Sequence, residues 1–425
     1  MKDIKKYPEY KDSMIDWLGE IPTNWLISPI GRVGTVKSSK RIFENQYSND
    51  GIPFFRSKEI VELANHKNIS ADIFIPIKLY DEIVAINGSP QKGNLLITSI
   101  GTIGEVWISD GREFYYKDGN ITQLNVGGKL NSEFTFYCFK SLLFKEQYGM
   151  MSAGSTLMAL TIEKIKQLVI LLPSLKEQKS IAHFLDKKTF EIDILIEDKE
   201  NLIKLLEEKL QAIITEAVTK GLNPDVKMKE SNVEWIGKIP EHWKVKKLKR
   251  CFKVINGKEI ERELEKDNPT AIDVFGSGGV FKKTDKSIYE GESVLFGRKG
   301  TIGKVIFVNQ SFWTVDTMYW TRFYEESFPK WFYYMLSAFP WSVHATKTAL
   351  PSIVGTDIEN EVWSIPPYEE QVKITSYLDS KMNNIMDLKS DIKKQIEKLK
   401  EYRQSLIFEA VTGKIDVRNY GKLSS

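Results

Sequence analysis

The stretch Trp17-Leu18-Gly19-Glu20-Ile21-Pro22, with a second tryptophan at Trp25, decides the architecture because it occurs twice. It returns 218 residues later as Trp235-Ile236-Gly237-Lys238-Ile239-Pro240 with Trp243. Three more motifs follow in the same order. Gly101-Thr102-Ile103-Gly104 returns as Gly300-Thr301-Ile302-Gly303, a shift of 199. Glu177-Gln178 with Phe184-Leu185-Asp186 returns as Glu370-Gln371 with Tyr377-Leu378-Asp379, a shift of 193. Glu216-Ala217-Val218-Thr219 returns as Glu409-Ala410-Val411-Thr412, again at 193. Ordered repetition of this kind means a duplicated unit. The fall in shift from 218 to 193 places the extra residues of the first copy before its Glu-Gln motif.

Each copy divides into a globular and a helical part. The globular parts are rich in aromatic and β-branched residues punctuated by glycine, which predicts a mixed α/β fold. Predicted strands include Ile83–Ile86, Leu95–Thr98, Val106–Ile108, Val294–Phe296 and Lys304–Val308. Glu133–Tyr148 and Pro329–Ala338 read as helices packed on the sheet. From Leu175 to Lys220 there is neither Pro nor Gly, and Gly221 and Gly413 fit helix C-terminal stops. The expected packing stripe is Ile192, Leu195, Ile203, Leu206, Ile213 and Ala217 in the first helix. Ile385, Leu388, Ile396, Leu399, Leu406 and Ala410 match it in the second, mostly at coiled-coil spacing. Such a helix spans on the order of 50 Å and needs a partner along its apolar stripe. The other copy is the expected partner, and the sequence leaves parallel and antiparallel pairing open. The expected segments are 1–173 and 223–366 (globular) and 174–222 and 367–425 (helical).

Lys and Arg number 60 against 57 Asp and Glu, a net charge of +3, which argues against a protein that grips nucleic acid by bulk charge. No apolar run reaches membrane-spanning length, and the first ten residues hold no signal-peptide core. The cysteines, Cys138 and Cys251, make neither a metal spacing nor a disulfide framework. A cytoplasmic protein is expected.

Several strings resemble catalytic motifs and fail. Ile365-Pro366-Pro367-Tyr368 lacks the Asp, Asn or Ser that an amino-methyltransferase loop places before its prolines. Gly297 to Lys304 misses phosphate-loop spacing, and Val305 replaces the magnesium-binding Ser or Thr. Gly276-Ser277-Gly278-Gly279 lacks the third glycine of a dinucleotide fingerprint. The four histidines form no zinc signature. The expectation is a chain that performs no covalent chemistry and holds no cofactor or metal. The competing readings are a methyltransferase or nuclease with unrecognised motifs, and a coiled-coil adaptor that binds only protein.

For DNA contact, Arg and Lys can donate to guanine or meet phosphate, and Asn and Gln can make bidentate bonds to adenine, so loops mixing polar and basic residues are the better candidates. The candidates are Arg56, Ser57, Lys58, Lys92, Ser99, Lys246, Lys247, Gly278, Arg298 and Lys299. The residues before the Gly-Thr-Ile-Gly turn differ, Ser99-Ile100 against Arg298-Lys299, which suits two domains reading different half-sites and equally suits drift.

Taken together, these motifs resemble the specificity subunit of type I DNA restriction–modification systems over essentially the whole chain. The repeated Trp motif resembles the start of each target-recognition domain in that family. Pro173–Asp186 and Pro366–Asp379 resemble the lead into its conserved helical regions. The resemblance implies two target-recognition domains separated by an antiparallel coiled coil. It implies a split double-stranded DNA target, two modification subunits that methylate adenine, and restriction subunits that cleave. S-adenosylmethionine, ATP and magnesium would then reside on those partners.

Overall fold

A computed structural model describes residues 5–152, 159–265, 267–346 and 351–420. The chain forms two compact units, Met1–Asp198 with Gln395–Ser425, and Lys199–Lys394. Each unit thus takes one globular part and a portion of both long helices, rather than ending where the globular part does.

The first unit is built on a four-stranded antiparallel sheet ordered Gly34–Lys37, Ile121–Val126, Leu95–Thr98, Val106–Ile108. All four residues of Leu95–Thr98 are buried, three apolar residues closed by a buried threonine. The second unit repeats the order with Phe252–Asn256, Met318–Phe323, Ser293–Gly297 and Val305–Val308. Each unit adds a smaller three-stranded sheet with one parallel pair. This pair joins Phe54 to Tyr115 in the first unit and Val274 to Trp313 in the second. The duplication therefore extends to strand topology.

The copies diverge inside the smaller sheet. After Ile52–Phe55 the first unit enters the helices Ser57–Ala64 and Ile77–Asn87. After Ile272–Gly276 the second unit turns straight back as a hairpin with Gly279–Thr284. The predicted strand Ile83–Ile86 is therefore wrong, because it is the end of a helix. Tyr80 and Ile83 face the core while Ile86 is exposed, a helical rather than alternating pattern. Pro76 before this helix and Gly88 at φ 67° after it are its start and stop signals. The predicted helix 133–148 is two helices, Ser132–Lys140 and Leu142–Ser152, broken where Ser141 is extended.

The long helices run Leu175–Lys220 and Tyr368–Val411. They pair antiparallel within each unit. Arg403 meets Asp193 at 2.9 Å in the first unit, and Lys389 meets Glu207 in the second. Ile192, Ile385, Ile396 and Leu406 are buried, and Ile203, Leu206, Ile213 and Leu399 are half-buried. Leu195 and Leu388, expected in the stripe, are instead 48 % and 53 % exposed. The inward row alternates steps of four and three, so it passes through Ile196 and Lys199 in the first helix and Lys389 and Ile392 in the second.

Each Trp motif clasps the C-terminal end of a long helix. Trp25 packs on Gly413 and Trp243 on Gly221, both tryptophans fully buried. A Cβ on Gly413 would stand 2.5 Å from Pro22. Lys414 donates to the carbonyls of Leu18 and Glu20, and Lys220 to those of Ile236 and Lys238. At the other root of each helix, Gln178 and Gln371 are buried clamps. Gln178 donates to the carbonyls of Pro173 and Lys129 and accepts from the Asn131 N–H. Gln371 does the same with Pro366, Glu326 and Phe328.

Candidate nucleic-acid interface

In the second unit, strand register brings several loops to one edge of the main sheet. Asn256 lies opposite Tyr319, Gly297 opposite Met318, and Phe296 opposite Val305. Hence Gly257-Lys258, the Arg298–Lys304 turn and Val315–Thr317 share that edge. Backbone bonds hold them: Arg298 N to Thr317 O at 2.8 Å, Gly257 N to Met318 O at 3.0 Å, and Ile353 N to Arg298 O at 3.0 Å. The Gly-Thr-Ile-Gly turn has φ 75° at Gly300 and 83° at Gly303, matched by 80° and 82° at Gly101 and Gly104. Glycine is required there because side chains are strained at positive φ. The hairpin joins the same edge, since Lys304 Nζ donates to Gly278 O at 3.3 Å.

This edge carries several exposed cations. Lys258, Lys299 and Lys304 are exposed and make no ion pair among the described residues. The Arg298 guanidinium rests over the Tyr319 ring at 5.7 Å and donates to Asp316 O, which holds its fork at the surface. Exposed Asp316 adds an acceptor among these donors. Such a mixed set can meet phosphates and base edges together.

The equivalent edge of the first unit carries Ser38–Arg41, Ser99–Glu105 and Lys117–Asn120. Two of its cations are engaged. Lys37 donates to Asn87 O at 2.8 Å, and burial pushes its ammonium below the usual range. Arg41 pairs with Asp118 at 2.8 Å. Lys40 and Lys117 make no ion pair among the described residues.

Of the ten sequence candidates, the structure brings Gly278, Arg298 and Lys299 together. Lys246 and Lys247 lie at the far end of the second unit's sheet, on a strand paired with Val362–Ile365. Lys92 precedes Leu95–Thr98, at the end away from the Gly101 turn. Ser99 is buried and hydrogen-bonded to Thr122 at 2.8 Å, so it braces the sheet. Arg56 stands at the N-cap position of its helix and is held by Glu59 at 2.7 Å and Asp72 at 3.3 Å; the Glu59 hydrogen bond pushes its pKa up. Ser57 Oγ is buried, and Lys58 lies 3.4 Å from Asp72. Sequence reasoning missed Lys258, Asp316 and Lys304. One signal existed for Lys304: it follows the turn where the first copy has Glu105, which is paired with Lys140. Among the described residues, no cluster of His, Cys, Asp or Glu is placed to hold a metal ion. No helix among them is long and apolar enough to cross a membrane.

Two segments of the chain, 22–205 and 240–398, match the type I restriction modification DNA specificity domain. These matches span most of the sequence, and the chain belongs to that family. A putative type I restriction enzyme specificity subunit of Haemophilus influenzae is 30% identical over 184 residues, 43% of this chain and 44% of that protein. The MjaIX specificity subunit of Methanocaldococcus jannaschii is 27% identical, covering 96% of this chain and 97% of its own. The EcoKI specificity subunit of Escherichia coli is 22% identical, covering 93% and 90%. Among solved structures, a chain from a type I R-M system assembly has TM-score 0.71 at 16% identity, covering 92% of this chain and 99% of its own. The HsdS subunit of Thermoanaerobacter tengcongensis has TM-score 0.52, covering 92% and 98%. The chain is thus a DNA specificity subunit by family, with two similar α/β domains and an antiparallel helix pair.

Proposed function

We propose that residues 1–173 and 223–366 are recognition domains that each read one half of a split double-stranded DNA target. The helical regions 174–222 and 367–425 set the gap between the halves. Two modification subunits methylate adenine and restriction subunits cleave, with S-adenosylmethionine, ATP and magnesium on those partners. This chain itself performs no covalent chemistry and works in the cytoplasm. The observation that carries the reading is the shared sheet edge, built on the same glycine turn in both units and carrying different side chains. Replacing Arg298 and Lys299 by Ala tests it, with methylated motifs mapped by long-read sequencing. Relaxed or lost bases in one half-site only are expected, at about 1–3 kcal/mol for each base contact. An unchanged motif would overturn the assignment of that edge.

A further inference from the structure

We infer that the second unit's hairpin reads thymine by its 5-methyl group, through Val280 and Phe281. This inference rests on the DNA-specificity reading and adds a residue-level chemistry to it.

Val280 and Phe281 are 49 % and 47 % exposed beside the hairpin turn. Two adjacent large apolar side chains there do nothing for the core. The strand register explains how both come out. Phe275 pairs with Val280 and Val274 pairs with Lys282, so Phe281 is an extra, unpaired residue in a β-bulge. A bulge bends the strand and re-aims a side chain, which is why bulges gather at functional sites. The Phe281 ring is seated on the bare backbone of Gly276, where an added Cβ would stand 3.2 Å from it.

The surroundings point to DNA. Lys304 ties the turn to the edge that carries Lys299 and Arg298. Farther along the hairpin, Lys282 and Lys283 are neutralised by Glu263 at 2.6 Å and Asp273 at 2.9 Å. The unpaired cations therefore flank an apolar tip rather than cover it. A two-stranded ribbon fits the major groove, and the thymine methyl is the apolar feature displayed there. The first unit replaces this hairpin by Ser57–Ala64 and Ile77–Asn87, so one half-site alone should show the effect.

The test uses the assembled modification complex and a duplex carrying its mapped motif. Each thymine of both half-sites is replaced singly by deoxyuridine, which removes only the methyl. Binding and methylation are expected to weaken about three- to tenfold at one or two positions of a single half-site. Phe281→Ala should cost a similar factor on the normal duplex and abolish the deoxyuridine sensitivity. Phe281→Leu should retain part of it. An unchanged thermal midpoint of the assembled complex reports an intact fold, and Val280→Ala serves if Phe281→Ala fails to fold.

Three results overturn the inference while leaving the specificity reading in place. They are deoxyuridine being neutral everywhere, a penalty that persists unchanged in both alanine variants, and a penalty confined to the half-site whose bases replacing Arg298 and Lys299 leaves unchanged. Loss of complex assembly in Phe281→Ala, with deoxyuridine neutral, assigns the tip to a protein partner and also overturns it. A wild-type complex without sequence preference overturns the specificity reading instead.

Discussion

Gln371→Ala is the sharpest test of how a recognition domain is fixed to its helix. The Gln371 side chain is 1 % exposed and makes three hydrogen bonds at the helix root. Its amide donates to Pro366 O at 3.0 Å and Glu326 O at 3.3 Å, and its carbonyl accepts from Phe328 N at 2.9 Å. Truncation leaves these groups without their partner. Each buried orphan costs about 1–3 kcal/mol. The 3.3 Å bond is weak and the new space can admit water, so a total of about 2–4 kcal/mol is expected. For a unit this size that lowers the thermal midpoint by roughly 4–16 °C. Local opening should show first as faster hydrogen exchange at the Phe328 amide, measured by mass spectrometry or NMR. Gln371→Glu separates the contributions: it keeps the acceptor for Phe328 but turns a carboxylate oxygen toward two carbonyls. It should be at least as destabilising. In the assembled complex, methylation of one half-site should fall before the other. A midpoint within 1 °C of wild type for Gln371→Ala, with Phe328 still protected, would refute the clamp.

Other outcomes follow from particular residues. Ile192→Ala should cost about 2–5 kcal/mol, whereas Leu195→Ala, on the exposed side, should stay within about 0.5 kcal/mol in denaturant titrations of the free chain. At the end of the described chain, burial raises the Asp416 carboxyl, but hydrogen bonds from Arg418 outweigh it and hold it below the usual range. Its stabilising effect is therefore complete above the unfolded carboxyl value of about 4 and is lost as pH falls through the lower folded value. Asp416→Asn should thus destabilise at pH 7 and make progressively less difference in strong acid. Inserting the same few residues into both long helices should lengthen the unspecified gap in the methylated motif and leave the half-site bases unchanged. Altered half-sites with a constant gap would count against a ruler.

The parts of the fold that were legible in the sequence are those where backbone geometry demands a residue type. The Gly-Thr-Ile-Gly turn, the Glu-Gln helix root and the Gly221 and Gly413 stops each reflect a local constraint repeated in both copies. The errors arose where local pattern underdetermines geometry. Ile83–Ile86 is too short to separate strand from helix, and only Pro76 and Gly88 at its borders decide. Leu195 and Leu388 satisfy a spacing of three from their neighbours, but helix rotation carries the contact row through Ile196 and Lys389 instead. The interface was least legible. Arg298 and Lys299 stand beside a repeated motif, whereas Lys258 and Asp316 are joined to them by strand register and Phe281 only through the Lys304 contact with Gly278. Arg56 is held by Glu59, which is 1 % exposed, and nothing in the local sequence marks that burial.

The way the first unit is assembled bears on the order in which the molecule can form. Asp416 N bonds Lys5 O at 2.7 Å, and Tyr10 Oη donates to Gly413 O at 3.0 Å. The second unit is one continuous stretch, so the ribosome delivers all of it before the segment beginning at Gln395. The unit that starts first in synthesis is therefore the one that finishes last. Until then Trp25, Pro22 and the apolar face of residues 175–198 lack their cover, so during translation the first unit is the one exposed to misassembly.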